Sequence, residues 1–313
     1  MPEQQKPNNV GLDIGSERLD YCISLTDEGM FPNTPNGRAA LVAKLKTLPR
    51  PRVICESSGG YQKPIVAELQ AAGIEVCVVL PQRVRHFAES EGSLAKTDKL
   101  DARLLRRYGE SISNLRLAEP VPPQLTILRE LLEHRRALTT QKTEVEGRFP
   151  LAGPTLTKLL QRQQTFLRKE LENVDNQIRR HINNDPDLRQ KSERLQQIAG
   201  VGPVVAATTL AYMPELGKVD SAVISALIGV APYPKDSGKY SGSRHIRGGR
   251  SQVRSVLYMA AVTASQHNPI LAKLYQRLTQ HGKPHKVCIT AIMRKLACLM
   301  NLLIQNPTFV LVS

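Results

Sequence analysis

The chain contains no tryptophan, and aromatic residues make up only 4% of it, which argues against recognition dominated by stacking on exposed rings. Its five cysteines, Cys22, Cys55, Cys77, Cys288 and Cys298, include no CxxC pair. That pattern excludes a zinc ribbon and reads as buried thiols in a reducing compartment. The seven histidines show no paired ligand spacing. No segment reads as apolar for long enough to cross a bilayer, so no membrane partner is expected. The N-terminal stretch MPEQQKPNNV is polar and lacks the apolar centre of a signal peptide. Acids are scarce beside bases, with 28 Asp and Glu against 43 Lys and Arg and a formal charge of +15. That surplus implies a polyanionic partner, most simply nucleic acid.

Four of those scarce acids sit in well-framed segments. Asp13 lies in VGLDIGS, Glu56 in VICESSGGY, and Asp98 and Asp101 in AKTDKLDARLL. The first two end short apolar runs that read as buried strands, where a carboxylate is costly without a partner. The last two are three apart and share a helix face. Carboxylates brought together repel, and a divalent cation is the usual way to neutralise them. Oxygen ligands favour Mg2+ or Mn2+ over zinc. Two strand acids and a helical pair are also what a ribonuclease-H-like core uses for phosphate chemistry. The bland alternative is that each is a solvated surface charge.

The 313 residues give room for two domains or a domain with appendages. In the first part VGLDIG and LDYCISLT read as paired strands. GRAALVAKLKTL is a helix, PRVICES a strand, YQKPIVAELQAAG a helix, IEVCVVLP a strand and TDKLDARLLRRYGES a helix with Thr97 as N-cap. This predicts an α/β domain with a mixed sheet flanked by helices, over 1–118, ending at EPVPPQ. From 119 to 192 strand signals stop. Leu160, Leu167, Leu171, Val174, Ile178 and Ile182 recur at helical steps. They form a seam that fits a coiled coil, an oligomer contact or packing on the same domain equally well. Two helices there can pair as an antiparallel hairpin across LAGP.

The third part, 193–313, is mainly helical. LQQIAGVGPVVAATTLAYM reads as helix, GVG turn, helix, a unit that can aim amides of Gly200 and Gly202 at a phosphate. APYPKDSGKYSGSRHIRGGRSQVRS follows, a basic, glycine-rich loop with Lys239, Arg244, Arg247 and Arg250 suited to phosphates. Helices near 269–281 and 284–304 close the chain. The basic loop also carries Ser237, Ser241, Ser243, Ser251 and Ser255. A serine among arginines can attack a phosphodiester, the arginines stabilising charge on phosphorus. Composition does not choose among the serines, and Tyr240 is a rival nucleophile.

GLDIGS, ESSGGY and KTDKLDA resemble the Asp, Glu, Asp, Asp signature of the DEDD transposases of insertion sequence family one-hundred-and-ten and the related Piv-like invertases. GVGPVVAATTLA, LIGVAPYPKDSGKYSG and IRGGRSQVRSVLYMAA resemble that family's second conserved region, in the same order. The resemblance covers nearly the whole chain. It implies a RuvC-like first domain, a coiled-coil arm used for oligomer contacts, and a C-terminal transposase domain whose nucleophile, by match to the DSG phrase, is Ser237. It also implies a DNA recombinase with Mg2+ or Mn2+ held by Asp13, Glu56, Asp98 and Asp101. A dimer or tetramer would join carboxylates of one subunit to the serine of another. A bridge RNA would pair with donor and target DNA, so that pairing reads sequence while protein reads shape. The setting implied is the prokaryotic cytoplasm, at the nucleoid. Two other readings remain: a RuvC-like metal-dependent endonuclease that uses water, and a nucleic-acid scaffold whose acids are structural.

Overall fold

The computed structural model describes residues 6–92, 98–234, 242 and 244–310, with the side chains of 98–100 outside that set. Thr97 lies outside the described residues. The chain divides into two compact units, Met1–Val121 and Pro122–Ser313, and the division falls inside EPVPPQ.

The first unit runs β1 (Asn8–Ile14), β2 (Arg18–Cys22), β3 (Glu28–Pro32), α1 (Pro35–Lys46), β4 (Pro51–Glu56), α2 (Gln62–Ala71), β5 (Glu75–Val79), α3 (Pro81–Ser90) and α4 (Asp98–Ser111). The five strands form one mixed sheet in the order β3-β2-β1-β4-β5. β1, β2 and β3 pair antiparallel, while β4 and β5 extend β1 in parallel. Alternation along the strands supplies two apolar faces. Val10, Leu12, Val53 and Cys55 pack with Leu41 and Leu45 of α1 and Ile65 and Leu69 of α2. Ile54, Cys77 and Val79 pack on the other face with Val84 of α3 and Leu105 and Tyr108 of α4. Helices therefore cover both faces, as the alternating strand and helix pattern predicted. Nothing in the local pattern marks β3 or α3. β3 is a short edge strand, EGMFP, without an apolar alternation to mark it. α3 begins at a proline that reads equally well as a strand's end.

The second unit opens with two long helices, α5 (Pro123–Arg148) and α6 (Pro154–Asn183), joined through a 3-10 turn at Phe149–Leu151. They run antiparallel. His181 Nε2 meets the Gln124 carbonyl at 2.8 Å, Arg135 pairs with Asp175 at 2.6 Å, and Gln164 donates to Glu146 at 3.0 Å. Leu128, Leu132, Leu138 and Val145 of α5 and Leu160, Leu167, Val174, Ile178 and Ile182 of α6 are buried in one cluster with the remaining helices of this unit. The seam seen in the sequence is thus filled inside the hairpin.

The rest comprises α7 (Pro186–Gln196), α8 (Pro203–Tyr212), α9 (Ser221–Ile228), a small hairpin of β6 (Pro232–Tyr233) and β7 (His245–Ile246), α10 (Ser251–His267), α11 (Pro269–Gln280) and α12 (His285–Gln305). α12 corrects one expectation, because by length and composition it is apolar enough to cross a membrane, with a mean hydropathy of 1.8. Half of that window is buried here, and Cys288, Ile292, Leu296 and Met300 point into the core. Its apolarity matches the role of a helix packed against α7, α9, α10 and α11.

Candidate active site

Two of the expected acids, Asp13 and Glu56, stand at adjacent register positions at one end of one sheet face. A Cβ at Gly11 would collide with the Ala102 carbonyl and come within 2.6 Å of the Arg106 nitrogen, so only glycine lets α4 lie directly on β1. The direction of α4 follows from Arg52, whose guanidinium bridges the Asn9 side chain at 2.8 Å and the Gly109 carbonyl at 3.1 Å. Asn9 is thus level with Gly109, and Gly11 with Ala102 and Arg106. Two residues further on, Asp13 shares this face of β1 with Gly11. The first turn of α4 begins at Asp98 and carries Asp101.

Glu56 joins from β4. Leu12 pairs with Cys55 in the parallel ladder, which places Glu56 beside Asp13 at the next register position. Ile54 packs on Leu105 and Tyr108, so Glu56, two residues on, shares the α4 side. Asp13, Glu56 and Asp101 are each half-buried. The Asp98 side chain lies outside the described residues. Among the described residues no three Asp, Glu, His or Cys are already gathered closely enough to hold a metal ion.

Sequence reasoning passed over a fifth carboxylate. Asp20 stands directly across the ladder from Asp13, is only 7% exposed, and pairs with Arg18 Nε at 3.0 Å. The signal was present in LDYC, where Asp20 and Cys22 alternate against Leu19 and Tyr21. α4 is further clamped by Arg103, which grips both oxygens of Glu28 on β3 at 2.6 and 2.7 Å. The neighbouring Cys55 is a spectator. Burial, reinforced by Cys77 and Glu56, pushes its thiol up to about 12.

In the second unit the expected phosphate ligands divide. Gly200 adopts φ 103°, and a Cβ there would lie 2.7 Å from Ala264 Cβ and 2.9 Å from the Ala260 carbonyl. It is needed where the turn packs on α10. Gly202 caps α8 in open space. Arg244 and Arg247 are exposed on either side of β7. Arg250 differs from expectation. It precedes α10 and forks onto both oxygens of the mostly buried Glu215 at 2.6 and 2.7 Å, with Met213 Sδ at 3.0 Å. A guanidinium held that way is an internal clamp and not a free phosphate ligand. Ser237, Lys239, Tyr240, Ser241 and Ser243 lie outside the described residues. Ser251 and Ser255 are exposed on the first turns of α10.

A carboxylate-edged mixed sheet followed by a basic helical unit fits a class of enzymes that rearrange DNA, and comparison with known proteins agrees. Residues 10–150 match the DEDD transposase family of IS110, and residues 192–276 match the family described as Transposase IS116/IS110/IS902. The chain is 28% identical over 319 residues to the Pilin gene-inverting protein of Moraxella lacunata, covering 96% of this chain and 97% of that protein. The corresponding protein of Moraxella bovis matches to the same extent. An uncharacterized 44.8 kDa protein of insertion element IS116 from Streptomyces clavuligerus is 28% identical over 121 residues, 36% of this chain and 30% of its own length. The chain belongs to the IS110 family of DEDD transposases and is a DNA recombinase/transposase.

Proposed function

We propose that this enzyme cuts and exchanges DNA strands with a divalent cation, Mg2+ or Mn2+, held by Asp13, Glu56, Asp98 and Asp101, and with Ser237 as nucleophile. The observation that carries the proposal is the close packing of α4 on β1 at Gly11, with Asp13 and Glu56 at adjacent register positions and α4 beginning at Asp98. An all-carboxylate donor set suits a hard cation, and like charges at one sheet end repel until a cation joins them. The bound cation would supply Lewis-acid stabilisation of phosphate charge. The sheet order, with acids on β1, β4 and α4, supports a RuvC-like, ribonuclease-H-like assignment for this unit.

Ser237 Oγ attacks phosphorus, forming a phosphoserine ester and freeing one deoxyribose oxygen. A hydroxyl of the second strand then attacks the ester and completes the exchange. Lys239, Arg244 and Arg247 hold the phosphate, and the amides of Val204 and Val205, which follow Pro203 in the first turn of α8, bind a neighbouring one. Gly200 shapes the turn that presents them. Assembly as a dimer or tetramer on DNA brings the carboxylates of one subunit to the serine of another, with the α5–α6 hairpin as the arm. A bridge RNA pairing with donor and target DNA accounts for a +15 chain with few aromatics. The relatives named for inverting a pilin gene support site-specific rearrangement as the outcome. The expected setting is the prokaryotic cytoplasm.

Trapping the reaction and digesting the adduct tests this. DNA linked to Ser237, absent in Ser237→Ala and in EDTA, is expected, and sequencing of copurifying RNA should recover one structured species. Asp101→Asn should abolish cleavage while leaving DNA binding in place. An adduct on Tyr240 would move the nucleophile. Cleavage without any adduct would make the enzyme a water-using RuvC-like endonuclease.

A further inference from the structure

In the second unit a groove of about 1340 Å3 runs between α10, α11 and α12 beside the β6–β7 hairpin. Its charge is of one sign. Arg244, Arg254, Lys286, Arg294 and Lys295 line it, and among the described residues no Asp or Glu does. Only Arg244 belongs to the segment between β6 and β7. Arg254 lies on α10, where it donates to the Gly248 carbonyl, and the other three lie on α12. Lys286, Arg294 and Lys295 are exposed. Lys286 and Arg294 are eight residues apart and share a helix face, so the row extends over about 12 Å.

The groove also has apolar surface that phosphates do not need. Met259 of α10 is 62% exposed and Val287 of α12 is 52% exposed, and both line it. Apolar side chains set among cations match a strand that presents base faces together with phosphates. Paired DNA hides its base faces in the stack, whereas an unpaired strand offers them. We propose that this groove binds an unpaired stretch of polynucleotide, its phosphates on Lys286, Arg294 and Lys295 and its bases against Met259 and Val287. The inference rests on the nucleic-acid reading above, and the side chains it turns on, Lys286, Arg294, Lys295, Met259 and Val287, are none of those placed at the carboxylate site or beside Ser237.

Fluorescence anisotropy of the full chain with labelled U20 and dT20, in EDTA, tests it across a salt series. For single strands each phosphate contact contributes about −0.7 to the slope of log K against log salt. The double variant Arg294→Gln with Lys295→Gln should flatten the slope by about 1.4 and weaken binding. A control with Arg162→Gln and Lys169→Gln on the exposed face of α6 should leave the slope unchanged. Loss confined to U20 identifies RNA as the occupant, and loss confined to dT20 identifies DNA. A 4-thiouridine-substituted U20 should cross-link to peptides containing Met259 or Val287 in the unsubstituted protein, which needs no variant to fold. An unchanged slope, equal effects of groove and control variants, or cross-links confined to other regions would overturn the inference. A chain that loses the Ser237 adduct test but keeps the slope difference would sink the proposed chemistry alone.

Discussion

At the scale of single residues, Gly11 matters more than its size implies. It lies two residues before Asp13 and packs against α4, the helix that begins at Asp98 and carries Asp101. Gly11→Ala forces α4 away from backbone atoms that have no room to yield, at a cost of about 1–3 kcal/mol. The expected outcome is a lowered Tm and lost strand cleavage with salt-dependent DNA binding retained. Cleavage at the original rate would show that α4 need not sit so close. Cys55 gives a second residue-scale test. Its folded pKa is raised to about 12 from 9.0, so the folded chain keeps the proton while the unfolded chain loses it. The folded state then binds more protons between about pH 9 and 12, and this group's contribution to stability falls as pH rises through that window. At pH 9, iodoacetamide should leave Cys55 unmodified in the folded protein and alkylate it in urea. Prompt alkylation without denaturant would contradict its burial.

At the scale of elements, the α5–α6 hairpin separates two uses of apolar residues. Leu167 is buried in the seam, whereas Phe166 beside it is 60% exposed. Leu167→Ala should destabilise the second unit by roughly 2–5 kcal/mol, and Phe166→Ala should change stability by no more than about 0.5 kcal/mol. Thermal denaturation compares them directly, and equal losses would mean that the exposed side of α6 is covered in solution. Leu167 and its neighbours were visible in the sequence as a helical repeat, but a repeat does not say what it packs against. The hydrophobic cluster answers this, since α5 supplies the partner within the same chain. Arg250 teaches a similar lesson. Set among glycines and cations it resembles a phosphate ligand, and only the fold brings Glu215, which is 35 residues away, to its two terminal nitrogens.

At the scale of the whole molecule, the charge of +15 sets the response to salt. On duplex DNA each neutralised phosphate contributes about −0.9 to the slope of log K against log salt. Arg244→Ala with Arg247→Ala should flatten it by about 1.8 and weaken all sequences alike, as titrations at several salt concentrations would show. An unchanged slope would place both arginines in bulk solvent. What the sequence alone determined is what depends on local pattern: the alternation of strand and helix in the first part, a strand-free Leu-rich middle with a helical repeat, and the four acids in their segments. Period and punctuation are local properties, and residues report them directly. The tertiary structure decided what depends on partners remote in the chain. It set Gly11 under α4, placed Asp20 across from Asp13, closed the α5–α6 seam on itself and gave Arg250 to Glu215. Gly11 with α4 and Arg250 with Glu215 join segments whose spacing carries no trace of their proximity. The strand pairing and the helical hairpin were legible as local possibilities, but their register and burial needed the packed chain.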